Sequence, residues 1–245
     1  MSSRYYRADG VELILGDARE VVPGLKLARD YDVCVTDPVW PDAPAGMFPH
    51  VAAPAQLFAD VAAWLPGLVR RLVVILGFRS DPRFLNGVPA ALPFLRVAHL
   101  RYAIPGYQGT LLSGGPVAYV FGDHRPAPGR RLLPGECTAR DARWGRSDGH
   151  PCPRHPAHLS WLVEHYTAPG DTVLDPFAGA GSTLVAAWRH GRRAVGVEVV
   201  EAYAEQAAKA LEAARAQGRL FPPPPREEVQ AELDVRTLSG AGRDT

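Results

Sequence analysis

Two short stretches carry acids where a folded chain can put them to chemical use. One is Asp175-Pro176-Phe177-Ala178-Gly179-Ala180-Gly181-Ser182-Thr183, set between an apolar run and a helical pattern. Gly179 and Gly181 let the backbone come close to a ligand and aim a helix N-terminus at it. Glu198 ends the next apolar run, twenty-three residues after Asp175, where a carboxylate can accept hydrogen bonds from both ribose hydroxyls. Leu184 stands where a dinucleotide fingerprint has its third glycine, and no Gly-Lys-Ser/Thr follows to make a P-loop. Asp175 would repel a pyrophosphate but attract the ammonium of a methionine moiety, so S-adenosyl-L-methionine is the cofactor expected. A dinucleotide site and a purely structural turn stay open on these residues alone.

The other stretch is Thr36-Asp37-Pro38-Val39-Trp40, which closes a β-branched apolar run at 32–36. Together the two stretches resemble the amino-methyltransferases of DNA (adenine-N6 and cytosine-N4), whose signatures are D-P-P-Y/W and D-P-F-x-G-x-G-[ST]-T. The catalytic motif precedes the cofactor motif, as in the circularly permuted β-class enzymes. Leu15-Gly16-Asp17 also fits, as does His150-Pro151 leading into Arg154, which is similar to the family's H-P-x-x-K/R segment. The resemblance covers roughly residues 11–212. Val39 stands where the family has a second proline, and Ala180 where it often has serine.

The resemblance implies a definite chemistry. An exocyclic base amine is a weak nucleophile because its lone pair is delocalised into the ring. Asp37 can accept one N–H and the Pro38 carbonyl the other, which frees the lone pair to attack the sulfonium methyl in line. Positioning then carries much of the rate, with no metal and no covalent intermediate. Trp40 would stack on the base once it is flipped from the duplex, worth about 1–3 kcal/mol. Aspartate at the first motif position favours adenine N6, and serine there would favour cytosine N4. Methylation of RNA or protein, or an inactive cofactor-binding relic, are the rival functions; an asparagine at 37 would have pointed to glutamine methylation.

Several residues carry two readings. Asp17 is either part of the adenosyl or target pocket or a turn aspartate. Ser182 and Thr183 either cap the following helix or reach the cofactor carboxylate. Arg154 can hold that carboxylate or a phosphate, and Phe177 can line the adenosine pocket or the core. His150, Cys152 and His155 are spaced too tightly for structural zinc, so no metal is expected. Pro151-Cys152 is similar to the Pro-Cys of cytosine-C5 methyltransferases, but the motif at 37–40 argues for amine chemistry.

The elements that must position these residues alternate. Strands are expected over 11–15, 32–36, 71–77, 172–175 and 194–198, and helices over 54–65, 156–166, 182–190 and 202–217. Two late strands, 95–103 and 116–121, are expected as an antiparallel pair joined by a flexible loop at 104–115 with four glycines. This pattern predicts an α/β fold, a doubly wound, mainly parallel Rossmann-like sheet of the adenosylmethionine-dependent methyltransferase type. Residues 1–220 suit one such domain, and 221–245, opened by four consecutive prolines after Phe221, a weakly structured tail.

Charge bears on partners. The formal net charge of the 245 residues is only +1, but between positions 122 and 158 seven arginines face four acids. Arg125, Arg130, Arg131, Arg140, Arg143 and Arg146 in that loop (122–153) are the candidate DNA contacts, and the loop the candidate target-recognition insertion. The apolar runs are far too short to cross a membrane. Three scattered cysteines indicate a reducing cytoplasm. Homodimers occur in the family the chain resembles.

Overall fold

The computed structural model describes residues 3–25, 31–43, 47–48, 50–108, 110–125, 132–141 and 154–218. Arg130, Arg131, Arg143, Arg146, His150, Cys152 and the proline-rich tail lie outside these residues.

A nine-stranded sheet forms the centre. In chain order its strands are β1 (Ser3–Ala8), β2 (Val11–Leu15), β3 (Val33–Thr36), β4 (Arg71–Leu76), β5 (Phe94–Ile104), β8 (Val117–Gly122), β9 (Glu136–Asp141), β10 (Thr172–Asp175) and β11 (Arg193–Glu198); β6 (Gly106–Gln108) and β7 (Leu111–Ser113) form a separate pair. Across the sheet the order is β1-β2-β11-β10-β3-β4-β8-β5-β9. Strands β2, β11, β10, β3 and β4 run parallel, whereas β1 and β8 are antiparallel to their neighbours. Five helices accompany them: α1 (Ala18–Leu25), α2 (Pro54–Ala62), α3 (Pro156–Tyr166), α4 (Ser182–Arg189) and α5 (Glu201–Gln217).

Both sheet faces are covered, which is why β3, β4 and β10 are buried at every position. The strand pleat sorts their side chains by alternation. Val33 and Val35 join the core under α3, α4 and α5, with Leu162, Leu184 and Leu211. Cys34 points to the other face, under α1 and α2, with Val22 and Phe58.

Three expectations change. The helix expected over 54–65 stops at Ala62, and Leu65 is buried in the turn beyond it; Leu65 precedes Pro66, whose ring disfavours helical geometry there. The glycine-rich 104–115 stretch is not a loose loop, because β6 and β7 pair antiparallel within it. The basic stretch is not all loop either: β9 adds to the sheet edge, parallel to β5. The expected antiparallel pairing of β5 and β8 is present.

The connections diverge between β3 and β10. From β3 the chain proceeds to its neighbour β4 on one side, and from β10 to β11 on the other. Between such strands, beyond their carboxyl ends, helices leave a crevice open, and α/β sheets bind ligands there.

Candidate active site

Asp37 and Asp175 flank that crevice, one just past β3 and the other ending β10. The hydroxyl of Thr36 joins the two strand ends by donating to Oδ1 of Asp175 at 2.8 Å. Asp175 is 1% exposed; its Oδ1 also accepts the Phe177 N–H, and the Thr183 hydroxyl is a further partner. Burial raises its pKa to about 6 despite these donors.

Asp37 is held by two side chains. Its Oδ1 accepts the Trp40 indole N–H at 2.9 Å, a proton shared with the Ile75 carbonyl at 3.1 Å. Its Oδ2 accepts Nε–H of Arg154 in an ion pair whose side chains are 17% and 16% exposed. The Arg154 guanidinium also lies over the Trp40 ring, its carbon 3.9 Å from the ring centroid. Burial pushes the Asp37 pKa up, and Arg154 and the indole partly offset this. Gly77, just beyond β4, makes room for the tryptophan: a Cβ there would lie 2.6 Å from Cζ3. The expected role of Arg154 was to hold a cofactor carboxylate or a phosphate. The structure sets it on the first and last residues of the motif at 37–40.

The glycine turn departs from expectation in its capping. Gly181, at φ +79°, is the N-cap of α4, and no side chain caps that helix. Ser182 and Thr183 are therefore its first helical residues, and Thr183 turns inward to Asp175. A Cβ at Gly181 would lie 2.7 Å from Cβ of Ala207 on α5. Gly179 also has a positive φ, +51°. Its N–H donates to Oε2 of Glu198 at 2.8 Å, and the Val200 N–H donates to Oε1 at 2.8 Å. Glu198 thus ties the glycine turn to the end of β11. The Val199 N–H is a further partner, and burial raises the pKa.

Asp17 combines its two expected readings. Its carbonyl accepts the Val21 N–H at 2.9 Å to start α1, and its carboxylate pairs with Arg19, which lowers its pKa. It also lines a cavity of about 320 Å³, within the usual range of small-molecule sites. The walls come from five strand ends: Gly16–Asp17, Asp37–Trp40, Gly77–Arg79, Pro176–Phe177 and Glu198. A hollow of about 50 Å³ beside it is lined by Asp175 and residues 178–180, 182 and 183, and shares Asp37, Arg154, Phe177 and Gly179 with the larger cavity. Phe177 packs on the core below α1 and α2 and also faces both spaces.

Because β8 is antiparallel, Gly122 pairs with Arg71 and the chain leaves the sheet at the end opposite the crevice. Arg125 lies at that end, ion-paired with Asp123 at 3.0 Å. Arg140 is exposed on β9, whose parallel pairing with β5 brings the chain back toward the crevice end. His155 caps α3, its Nδ1 accepting the Ala157 N–H at 3.1 Å, which is a structural use. Among the described residues no group of His, Cys, Asp and Glu is arranged to hold a metal ion. No helix among them is long and apolar enough to cross a membrane.

Sequence reading missed Thr36, Gly77, Phe78, Arg79 and Tyr203, all bridging or lining the site. Gly77, Phe78 and Arg79 follow a recognisable strand, so the strand-end rule that selects Asp37 would have found them too.

A family model described as DNA methylase matches residues 123–209. YubD of Escherichia coli (strain K12), a methylase by name, is 38% identical over 104 residues, which are 41% of this chain and 44% of that protein. The type II methyltransferase M2.DpnII of Streptococcus pneumoniae is 37% identical over 79 residues, 32% of this chain and 29% of that protein. The chain thus spans less than half the length of these curated relatives. Among solved structures, the M1.HpyAVI–SAM complex superposes with a TM-score of 0.63 at 19% identity, covering 82% of this chain and 98% of the other. PvuII DNA methyltransferase, cytosine-N4-specific, superposes with 0.64 at 13% identity, covering 97% and 95%. The fold is that of the adenosylmethionine-dependent methyltransferases.

Proposed function

Taking the chain as a relative of the N6/N4 DNA methylases, we propose that it moves a methyl group from S-adenosyl-L-methionine to an exocyclic amine of a DNA base, adenine N6 in particular. One observation carries the reading. The acceptor motif at Asp37 and the cofactor motif at Asp175 open onto shared space at the divergence of the sheet, joined by the Thr36 hydroxyl.

The residues suit a donor without phosphates. The turn at 179–181 leaves no room for a Cβ at Gly181, and its acids, Asp175 and Glu198, would oppose a pyrophosphate. Glu198 offers its remaining lone pairs to the ribose hydroxyls, and Phe177 forms an apolar wall for the adenine. Asp175, at the back of the small hollow, faces the methionine ammonium, while Asp17 borders the adenosyl side. When bound, the donor supplies a methyl already activated by the sulfonium charge.

Asp37 and the Pro38 carbonyl accept hydrogen bonds from the two amine N–H groups and turn the nitrogen lone pair toward that methyl. As the N–C bond forms the S–C bond breaks, leaving a neutral thioether, and the surplus proton on nitrogen departs through Asp37. Trp40 gives the flipped base its stacking surface. Val39 leaves both proposed acceptors intact, since Pro38 contributes its carbonyl.

The test is transfer of tritium from labelled cofactor to unmethylated DNA, with RNA and protein offered in parallel. Label should enter DNA as N6-methyladenine on nucleoside analysis, and Asp37→Ala should lower it about 10²–10³-fold. N4-methylcytosine would correct the base. Label in RNA or protein alone, or full activity in Asp37→Ala, would overturn the reading.

A further inference from the structure

We infer that the Arg154 guanidinium is a built-in occupant of the target-base seat, which an incoming base has to displace. This inference rests on the function proposed above. That function asks two things of the base: an amino N–H donated to Asp37, and a flat face laid on Trp40. Arg154 already makes both contacts, donating Nε–H to Oδ2 of Asp37 and holding its guanidinium carbon over the Trp40 ring, 3.9 Å from the centroid. A guanidinium is the one protein side chain that is planar, cationic and rich in N–H donors, so it can stand in for an amino-bearing ring.

Neighbours crowd the seat. Oδ1 of Asp37 already accepts the Trp40 indole N–H, and an amine that approaches Oδ2 meets Arg154 there. Gly77 lies against the six-membered ring of Trp40, so close that a Cβ there would approach within 2.6 Å. Arg154 borders both the large cavity and the small hollow, so a long side chain has somewhere to go when it is pushed aside. It also precedes the N-cap of α3 and is not fixed by that helix.

The device sets a threshold for recognition. A base with an exocyclic amine replaces the lost N–H···Asp37 contact, whereas one that turns only carbonyl oxygens to the carboxylate does not. Arg154 is on this reading a positioning and specificity residue, keeping Asp37 ionised and aimed between turnovers.

Kinetics of Arg154→Ala and Arg154→Lys test this, measured well above the carboxylate titration range with unmethylated genomic DNA as substrate. Without a competing occupant, Arg154→Ala should lower the KM for DNA about two- to thirtyfold, the equivalent of one cation–π contact, with no rise in kcat. Millimolar methylguanidinium should raise that KM again, competitively with DNA, while sodium chloride at the same ionic strength should not. Arg154→Lys, charged but not planar, should fall between, and it carries the test if the alanine variant fails to melt cooperatively. An unchanged KM for DNA overturns the inference. A raised KM with a shallower salt dependence makes Arg154 a phosphate ligand instead, and a raised KM for the cofactor alone makes it a carboxylate ligand. If Asp37→Ala abolishes labelling while Arg154→Ala changes nothing, only this inference fails. If Asp37→Ala retains activity, the proposed function itself fails.

Discussion

Two guanidinium groups, Arg71 and Arg154, stand at opposite ends of one sheet and are held in opposite ways. Arg71 begins β4 and is 0% exposed. It donates to the carbonyls of Asp123, Arg125 and Tyr166, so the exit of β8 and the end of α3 close on one side chain. Arg154 meets the Asp37 carboxylate and the Trp40 ring, and it remains partly exposed. Carbonyls cannot rearrange without moving the backbone, so Arg71 is a staple. A carboxylate and a ring can accept another ligand in the same places, so Arg154 is exchangeable. The Arg71 end is locked by backbone, whereas the contacts of Arg154 at the crevice are made to groups that can accept other donors.

The sharpest way to break this contrast is to remove each charge in turn. Arg71→Met should lower the unfolding free energy in urea by about 3 kcal/mol, because three carbonyls, that of Tyr166 buried, lose their donor. Arg154→Met should cost clearly less, since Asp37 can take a proton or meet water. Equal losses would mean that both arginines are staples. A somewhat smaller effect is expected from Asp175. Its pKa rises from 3.8 in the unfolded chain to about 6 in the fold. The folded state then binds more protons between those values, so stability falls as pH rises through the window. The loss is up to about 3 kcal/mol, and Asp175→Asn should flatten it in melting curves taken across that range. The smallest change is Gly181→Ala, with a positive φ and Ala207 close by. It should destabilise by about 1–2 kcal/mol and weaken cofactor binding measured by calorimetry. Unchanged binding would show that the turn is not held for a ligand.

What could be read from the sequence followed from strong local patterns. The runs at 172–175 and 156–166 have the bounds that the structure gives β10 and α3, because an apolar period bounded by Pro, Gly or Asp is a local property. Helix α1 was hidden because Pro23 and Gly24 sit in its last turn. Strand β1 was hidden by its polar composition, which an antiparallel edge tolerates. Strand β9 depends on a parallel partner far away in the chain, and nothing in its own residues announces that. In the site, residue types could nominate Asp37, Trp40, Asp175 and Glu198. They could not show that Arg154 crosses 117 positions to reach Asp37, or that Arg125 lies at the end opposite the crevice. Both facts depend on strand direction, which is decided by the whole sheet.

The Thr36–Asp175 hydrogen bond spans 139 positions. During synthesis the strand bearing Asp37 therefore emerges long before the neighbour that completes its crevice. An N-terminal piece stopping short of β10 would expose one edge of β3 and own half of the crevice. Contacts between such distant positions form slowly, because a long loop has to close first. A nascent chain thus holds no assembled crevice until β10 and β11 have been translated, and the site arrives with the closing of the sheet.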